Sequence, residues 1–437
     1  MTALAHLRRL LHGRWFRRLF AVRLASQLSD GVFQVAIASY ALFTQDRPSG
    51  AAIAGALAVV LLPFSVLGPF AGVLLDRWSR RQVLVWANLS RVVIVAVIAS
   101  VVAADLPEPV FYGVVLLCLS VNRFLLAGLS AALPHTVEPE DLVTANSLTP
   151  TSGTLAFLVG LGVGSVVRAS AGTHQAGDLR VLLTAAGLYA AAGGLALRIP
   201  RNRLGPDFDP QLPAVREAVR GVLSGLVDGL RHLRARPAAA ASLAAIASQR
   251  YWFGITSVSL VLLYRNYFHG PHEAEAAFTD LSRVALVGGA GFVVAALVTP
   301  SVTERWRPQT WAVVLLLVAG VVQLVPGALY TRTALTVAVF ALGLASQGVK
   351  IVVDTVVQAN VDDAFRGRVF SLYDVLFNVS FVAAAATAAV LLPRDGRSLP
   401  VLVVMACGYL VTAAGYAVVD RRIRTGPVPR RSPAGAG

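Results

Sequence analysis

Charged residues are scarce in this chain. They make up 14% of its 437 residues, whereas hydrophobic residues make up 56%, and a typical soluble domain carries about 25% charged residues. The mean hydropathy is +0.68. This composition excludes an ordinary soluble domain. It predicts an all-α polytopic membrane protein, because helices satisfy their own backbone hydrogen bonds in lipid.

Cysteine is scarce as well, since only Cys118 and Cys407 occur, both inside apolar runs. A disulfide framework and a Cys-x-x-Cys site are therefore excluded. The chain has no His-Glu-x-x-His or Gly-x-Ser-x-Gly motif, so no hydrolytic enzyme is predicted. Four ligand-type residues share one loop: His269, His272, Glu273 and Glu275. We interpret that loop as solvated, and we predict no metal and no cofactor.

Lysine occurs once, at Lys350, among 38 basic residues that are otherwise arginine. The formal net charge of +15 would suit a nucleic-acid partner, but these arginines flank apolar runs, where anionic lipid headgroups account for them. We therefore predict membrane lipids as partners and no nucleic acid.

Twelve apolar segments reach the roughly 20 residues that a helix needs to cross hydrocarbon. They are 20–42, 51–75, 83–103, 110–133, 147–168, 180–198, 239–263, 281–302, 311–331, 335–358, 369–392 and 399–419. Arginine-rich connections alternate with arginine-poor ones, and short positively charged loops stay in the cytoplasm. The pattern predicts a multi-pass plasma-membrane protein with both termini cytoplasmic.

The second half of the chain echoes the first. Leu75-Asp-Arg-Trp-Ser79 resembles Thr303-Glu-Arg-Trp-Arg307, and each stretch is an elbow between two apolar runs. Such a repeat predicts two pseudo-symmetric six-helix bundles. The predicted domains are an N-terminal bundle with an amphipathic lead-in (1–198), a cytoplasmic linker with an amphipathic helix (199–238), a C-terminal bundle (239–420) and a basic cytoplasmic tail (421–437).

Polar residues in the first predicted span lie on one helical face, at Gln27, Asp30 and Gln34. Asp30 is about halfway across the membrane, where a carboxylate is costly and needs a partner or a water-filled cavity. It either binds the coupling proton or substrate, or is a satisfied structural carboxylate.

Further charges lie inside the predicted spans. Arg123 can act as a fixed counter-charge but not as a proton carrier, because arginine keeps its proton. Lys350, which can release a proton when buried, either serves the transport pathway or pairs with Asp354 four residues on. The remaining candidates are Arg250, Asp374 and Asn378. Three cations and three carboxylates predict a compensated polar cavity between the halves.

Three glycines alternate in the fifth predicted span, at Gly160, Gly162 and Gly164. Small residues at such spacing let two helices approach closely in a membrane. We predict that this ridge serves helix packing.

The first elbow is similar to the signature Gly-x-x-x-Asp-Arg-x-Gly-Arg-Arg of the major facilitator superfamily, with Ser79 in place of the second glycine. The matching residues are Gly72, Asp76, Arg77, Arg80 and Arg81. The resemblance covers nearly the whole chain and implies secondary transport by alternating access. Pro139 to Asn146 and Arg366 to Phe370 look most like the siderophore and macrolide exporter branch.

The resemblance also implies residue roles. Asp76 would serve the start of the eleventh span, and the elbow arginines would pair with Glu138, Glu140 and Asp141 as a conformational switch. Arg123 resembles an arginine linked to proton coupling and would set the proton affinity of Asp30. We therefore predict a monomeric antiporter that exports a mid-sized amphipathic drug, siderophore or secondary metabolite. Import and lipid flipping are the alternatives, and a receptor or enzyme is a remote one.

Overall fold

The computed structural model describes residues 10–43, 55, 78–138, 141–171, 173–205, 215–270, 272–325 and 327–425, and in these ranges the regular structure is entirely helical. The main helices are α1 (Arg14–Phe43), α2 (Arg80–Ala103), α3 (Glu108–Ala132), α4 (Leu142–Ala169), α5 (His174–Leu197), α6 (Val215–Arg234), α7 (Pro237–Leu262), α8 (Ala274–Thr303), α9 (Pro308–Leu324), α10 (Arg332–Asn360), α11 (Asp363–Leu391) and α12 (Leu399–Thr425).

All predicted spans except the second coincide with one of these helices, and the second, 51–75, lies outside the described residues apart from position 55. Within the described ranges, nine helices are long and apolar enough on their own to cross a membrane: α2 to α5 and α8 to α12. Helices α1 and α7 carry Asp30 and Arg250 in their apolar stretches. The all-α polytopic prediction is confirmed.

Short polar signals set several helix starts. The hydroxyl of Thr173 accepts from the backbone N–H of Ala176 at the start of α5, and Thr331 accepts from Ala334 in the same way at α10, both at 3.3 Å. Each satisfies one of the amide groups that a helix leaves without an internal acceptor. Proline stands in the first turn of α3, α7 and α9, where its missing N–H costs nothing.

The described helices pack in the same way in the two parts of the chain. Helix α1 contacts α4 and α5, and α2 contacts α3 and α5. In the second part α7 contacts α11 and α12, and α9 contacts α10 and α12. The repeat read from the sequence is therefore a repeat of helix packing.

Glycine makes the contact between α1 and α4 close. A Cβ atom on Gly31 would lie 2.1 Å from the carbonyl oxygen of Phe157, and one on Gly160 would lie 2.2 Å from that of Leu28. Gly164 also faces α1, with Val35 Cγ2 at 2.9 Å from its missing Cβ. The predicted packing glycines Gly160 and Gly164 therefore let α4 pack closely against α1.

Gly162 points to the other part of the chain, where its Cβ would have Leu286 of α8 at 4.0 Å. Helices α4 and α8 form the largest direct helix contact between the two parts within the described ranges. Beside Gly162, Leu158 packs against Gly289, whose Cβ would lie 3.0 Å from the leucine Cδ2.

The amphipathic linker helix α6 packs on the start of α11. The ring of His232 stacks on Phe365 with centroids 4.3 Å apart, and just beyond α6 the guanidinium of Arg236 donates to both carboxylate oxygens of Asp362 at 2.8 Å. Val227 and Leu230 on the same helix stay exposed. This leaves an apolar strip suited to the membrane surface.

Candidate functional site

Asp30 lies in a buried polar cluster between α1, α2, α3 and α5. Its Oδ1 atom is 2.6 Å from Nη1 of Arg91 and accepts a hydrogen bond from the Tyr189 hydroxyl at 2.7 Å. Its Oδ2 atom accepts from Nε2 of Gln27 at 2.7 Å. The side chain of Arg91 is fully buried and that of Asp30 is 7% exposed, so both charges depend on each other for compensation.

A second layer of polar groups holds Arg91 in place. Its guanidinium donates to the side-chain oxygens of Asn88 at 2.7 Å and Asn122 at 3.0 Å. It also lies over the ring of Tyr189, 4.1 Å from the centroid. With these acceptors Arg91 stays satisfied at several N–H groups even when one partner changes. The carboxylate is therefore the group in the pair that can change its charge, because arginine keeps its proton.

Asp30 is paired with Arg91 and not, as predicted, with Arg123. Arg123 was expected there because it lies near mid-membrane and resembles an arginine linked to proton coupling. Asn88 and Arg91 stand at i and i+3 in the largely apolar part of α2, which places both on one face. That spacing was the sequence signal for the cluster.

Arg123 instead connects the two parts of the chain. Its Nη2 atom lies 2.8 Å from Oδ2 of Asp374 on α11, with the side chains 21% and 50% exposed. Asn378 donates to the backbone carbonyl of Asp374 one turn earlier, at 2.8 Å. We call the first of these contacts the Arg123–Asp374 bridge.

The lone lysine forms the intrahelical pair that the spacing allowed. Nζ of Lys350 lies 2.7 Å from Oδ2 of Asp354, with side chains 40% and 28% exposed. Gln34, on the Asp30 face of α1, is partly buried and has no hydrogen-bond partner among the described residues. Arg123 and Lys350 thus each pair with a carboxylate, whereas Arg250 has no carboxylate partner among the described residues.

Two of the elbow arginines, Arg80 and Arg81, bind backbone carbonyls rather than the predicted carboxylates. Nη1 of Arg80 donates to the carbonyl of Ala131 at 2.9 Å and contacts Nε2 of His135 at 2.6 Å. Arg81 donates to the carbonyls of Ile199 at 3.1 Å and Leu197 at 3.3 Å. These groups end α3 and α5, where free carbonyls and the helix dipole favour a cation. Neither arginine is ion-paired with Glu138 or Asp141. The other three matching elbow residues, Gly72, Asp76 and Arg77, and the predicted partner Glu140 lie outside the described residues.

A second inter-part bridge lies where α4 ends and α8 begins. Arg168 binds Ser39 Oγ at 2.7 Å, Asp178 Oδ1 at 2.9 Å and Glu275 Oε1 at 2.6 Å, while its guanidinium lies 4.3 Å from the ring centroid of Phe278. From the sequence, Glu275 was expected in a solvated loop. We call the contact with Glu275 the Arg168–Glu275 bridge.

A smaller polar cluster in the second part of the chain involves the residues before and within the start of α8 and the start of α10. His269 Nε2 lies 3.3 Å from Asp280 Oδ2, and Arg332 Nη1 lies 2.6 Å from the same oxygen. Among the described residues, no group of three or more histidine, cysteine or acidic side chains could hold a metal ion. The cluster is held by hydrogen bonds and charge pairing between protein groups.

A family model described as Major Facilitator Superfamily matches residues 19–385. Two proteins described as uncharacterized MFS-type transporters, from Mycobacterium bovis and Mycobacterium tuberculosis, are each 37% identical to this chain over 413 residues, which is 93% of this chain and 91% of theirs.

Solved structures share the fold at low identity. The nucleoside transporter NupG aligns with a TM-score of 0.68 at 14% identity, covering 93% of this chain and 99% of its own. A mutant of the peptide transporter POT aligns with a TM-score of 0.70 at 15% identity, covering 93% and 94%.

Proposed function

This chain belongs to the major facilitator superfamily, and from that membership we propose that it is a proton-coupled exporter of a mid-sized amphipathic compound. It is a transporter and not an enzyme. The observation that carries the proposal is the buried Asp30–Arg91 pair, because ionisable residues inside a transmembrane bundle are costly and by default mark an ion or substrate pathway. The fold shared with nucleoside and peptide transporters at 14% and 15% identity does not transfer their substrates to this chain.

In the proposed cycle a proton binds Asp30 and removes the negative charge that Arg91 faces. Arg91 keeps its bonds to Asn88 and Asn122 on α2 and α3, while its attraction to α1 weakens. Protonation thus changes how firmly α1 is held against α2, and a change in helix contacts at one site can shift the balance between two packings of a bundle.

The two bridges are the proposed gates of alternating access. If both termini are cytoplasmic, α4 runs outward and α8 runs inward, so the Arg168–Glu275 bridge closes the outer end. The Arg123–Asp374 bridge then lies nearer the cytoplasmic end, on α3 and α11. A transporter that opens to one side at a time must break one bridge while keeping the other.

Neutralising the two bridges should therefore move the conformational equilibrium in opposite directions. Glu275→Gln should widen the outer end and Asp374→Asn the inner end. Glu275 and Asp374 are about half exposed, so each change is worth about 1 kcal/mol, or a population shift of about fivefold. Pulsed electron paramagnetic resonance checks this by measuring distances between two spin labels. Labels at Ser170 and His272 report on the outer end, and labels at Asn202 and Gly367 report on the inner end.

Each variant is the control for the other, because both replace one partly exposed carboxylate with an amide. All four label sites are exposed, so labelling should not disturb packing. Equal distance changes at both ends in both variants would contradict the gate assignment and indicate general loosening.

The transport proposal is tested by uptake of fluorescent amphipathic dyes into inverted vesicles. We expect accumulation when the vesicle interior is acidic, loss of accumulation with a protonophore, and none in vesicles without the protein. Accumulation that ignores the proton gradient would overturn proton coupling. Accumulation only in right-side-out vesicles would overturn export in favour of import.

A further inference from the structure

Arg250 in the middle of α7 is a partly buried cation whose neighbours are aromatic. Its guanidinium carbon lies 4.0 Å from the ring centroid of Phe377, 4.9 Å from that of Phe381 and 5.4 Å from that of Phe253. No acidic side chain pairs with it in the described ranges. Cation–π contacts hold the planar group in place while leaving its N–H edge for hydrogen bonds.

Buried polar atoms beside Arg250 lack hydrogen-bond partners. Among the described residues this holds for the Nε atom of Arg250 and for the hydroxyl of Tyr409, whereas the Tyr373 hydroxyl lies beside the carboxylate of Asp354. Both tyrosines are close enough to interact electrostatically with the guanidinium. A buried guanidinium whose Nε–H lacks an acceptor and whose charge lacks a carboxylate partner is costly, so the site favours a ligand that brings acceptors and negative charge.

The first part of the chain contains a similar cation, Arg23 on α1. Its Nε atom is buried without an acceptor, and no described residue forms an ion pair with it. The guanidinium lies along α4, where a Cβ on Gly153 would be 3.2 Å from Nε. A glycine at 153 thus leaves the room in which the arginine head lies.

The two arginine heads occupy matching places in the repeat. Residues 153 and 377, beside which they lie, are 224 apart, and so are Gly160 and Ala384 at the equivalent helix crossings. Arg23 stands one helical turn before the position that corresponds to Arg250 in the repeat. Its long side chain spans that turn, so the two guanidinium groups lie at corresponding places. Each part of the chain therefore places one uncompensated cation next to its α1–α4 or α7–α11 crossing.

We propose that Arg250 and Arg23 bind the acidic group of the transported compound, which makes the substrate an amphipathic anion carrying a carboxylate, sulfonate or phosphate on an apolar body. This inference rests on the proposed function and specifies its substrate class. The phenylalanines around Arg250 supply the apolar surface that such a body needs. Arg23 shares one face of α1 with Gln27, which donates to Asp30, so an anion at Arg23 lies two helical turns from the proposed proton site.

Binding of two matched dyes to the purified protein in neutral-lipid nanodiscs tests the inference without any gradient. 8-Anilinonaphthalene-1-sulfonate carries a sulfonate, and N-phenyl-1-naphthylamine has the same skeleton without it. We expect the wild type to bind the sulfonate dye at least about tenfold more tightly. Arg250→Gln and Arg23→Gln should each remove about tenfold from the affinity for the sulfonate dye and leave that for the neutral dye unchanged.

Two further variants separate charge from folding. Arg250→Lys keeps the cation and should retain a preference for the sulfonate, whereas Arg283→Gln removes an exposed arginine and should change neither affinity. Equal losses for both dyes in Arg250→Gln would overturn the proposal, because Arg250 would then serve packing. So would unchanged sulfonate binding in both Gln variants. These readings stand whether or not proton-driven export is observed.

A lipid headgroup presents the same chemistry as a free anion, and a second arm distinguishes them. Adding phosphatidylglycerol to the nanodiscs should leave sulfonate binding unchanged if the ligand is a free compound. Competition by the lipid that disappears in the Arg250→Gln, Arg23→Gln double variant would support the anion site and identify a headgroup as its ligand.

Discussion

Asp30→Asn is expected to reduce proton-driven dye accumulation in inverted vesicles to the level of vesicles that lack the protein. Asparagine keeps the size of the carboxylate but replaces one of its two acceptor oxygens with a donor, and it cannot bind and release a proton. The amide oxygen can still accept from Tyr189, and the Gln27 side chain can turn its own oxygen to the new NH2 group, whereas the charge attraction to Arg91 at 2.6 Å is lost. The predicted loss therefore follows from the missing charge change rather than from a missing shape.

The same substitution leaves Arg91 buried without its carboxylate, and removing one partner of a buried ion pair costs about 3–5 kcal/mol of stability. Loss of transport alone would then be ambiguous, because an unfolded protein also fails to transport. The double variant Asp30→Asn, Arg91→Gln resolves this. It replaces the pair by two neutral groups that can hydrogen-bond, so it should regain thermal stability relative to Asp30→Asn while still lacking gradient-driven accumulation.

Asp105→Asn is the matched control. Asp105 is an exposed carboxylate in the turn after α2, with φ of 49°, a backbone conformation that asparagine also adopts readily. It should transport like the wild type. If the folded double variant accumulated dye in response to the gradient, Asp30 would be excluded as the proton carrier.

The sequence predicted helices and their repeat well because both depend on local composition. Runs of about 20 apolar residues identify spans regardless of their neighbours, and α1 and α7 were found despite their polar interruptions. The pairing of charges depends instead on which helices meet. Asp30 and Arg91 are 61 residues apart, and Arg168 and Glu275 are 107 apart; nothing in either span alone specifies these partners.

Mid-membrane position turned out to be a poor guide to partnership. Arg123 was matched with Asp30 because it lies near mid-membrane and resembles an arginine linked to proton coupling, yet Arg123 meets Asp374 of α11. What the sequence did contain was a one-sided polar pattern on α2, with Asn88 and Arg91 on a single face. Arg91 has an amide side chain beside it on the same helical face, which favours burial with a fixed partner. Arg123 is partly exposed and lies at the boundary between the two parts of the chain.

Gly160→Ala is expected to have the largest effect on folding among single-methyl changes in α4. The new Cβ would lie 2.2 Å from the carbonyl oxygen of Leu28 and 3.0 Å from Cα of Gly31. Both neighbours are backbone atoms, so no side chain can rotate away and the two helices must separate. Overpacking typically costs about 1–3 kcal/mol, and we expect the upper end here. The measurement is thermal unfolding of the purified protein followed by size-exclusion chromatography.

Gly162→Ala, two residues on in the same ridge, should be neutral or slightly stabilising. Its Cβ would meet only Leu286 Cδ2 at 4.0 Å, and alanine favours a helix by about 1 kcal/mol relative to glycine. The pair separates two explanations of the ridge. If the glycines served only to make α4 bendable, both substitutions would act alike. A large loss of stability for Gly160→Ala with none for Gly162→Ala would instead mean that the face of α4 turned to α1 is fixed by backbone contact. The face turned to α8 would then be the one that can move during transport.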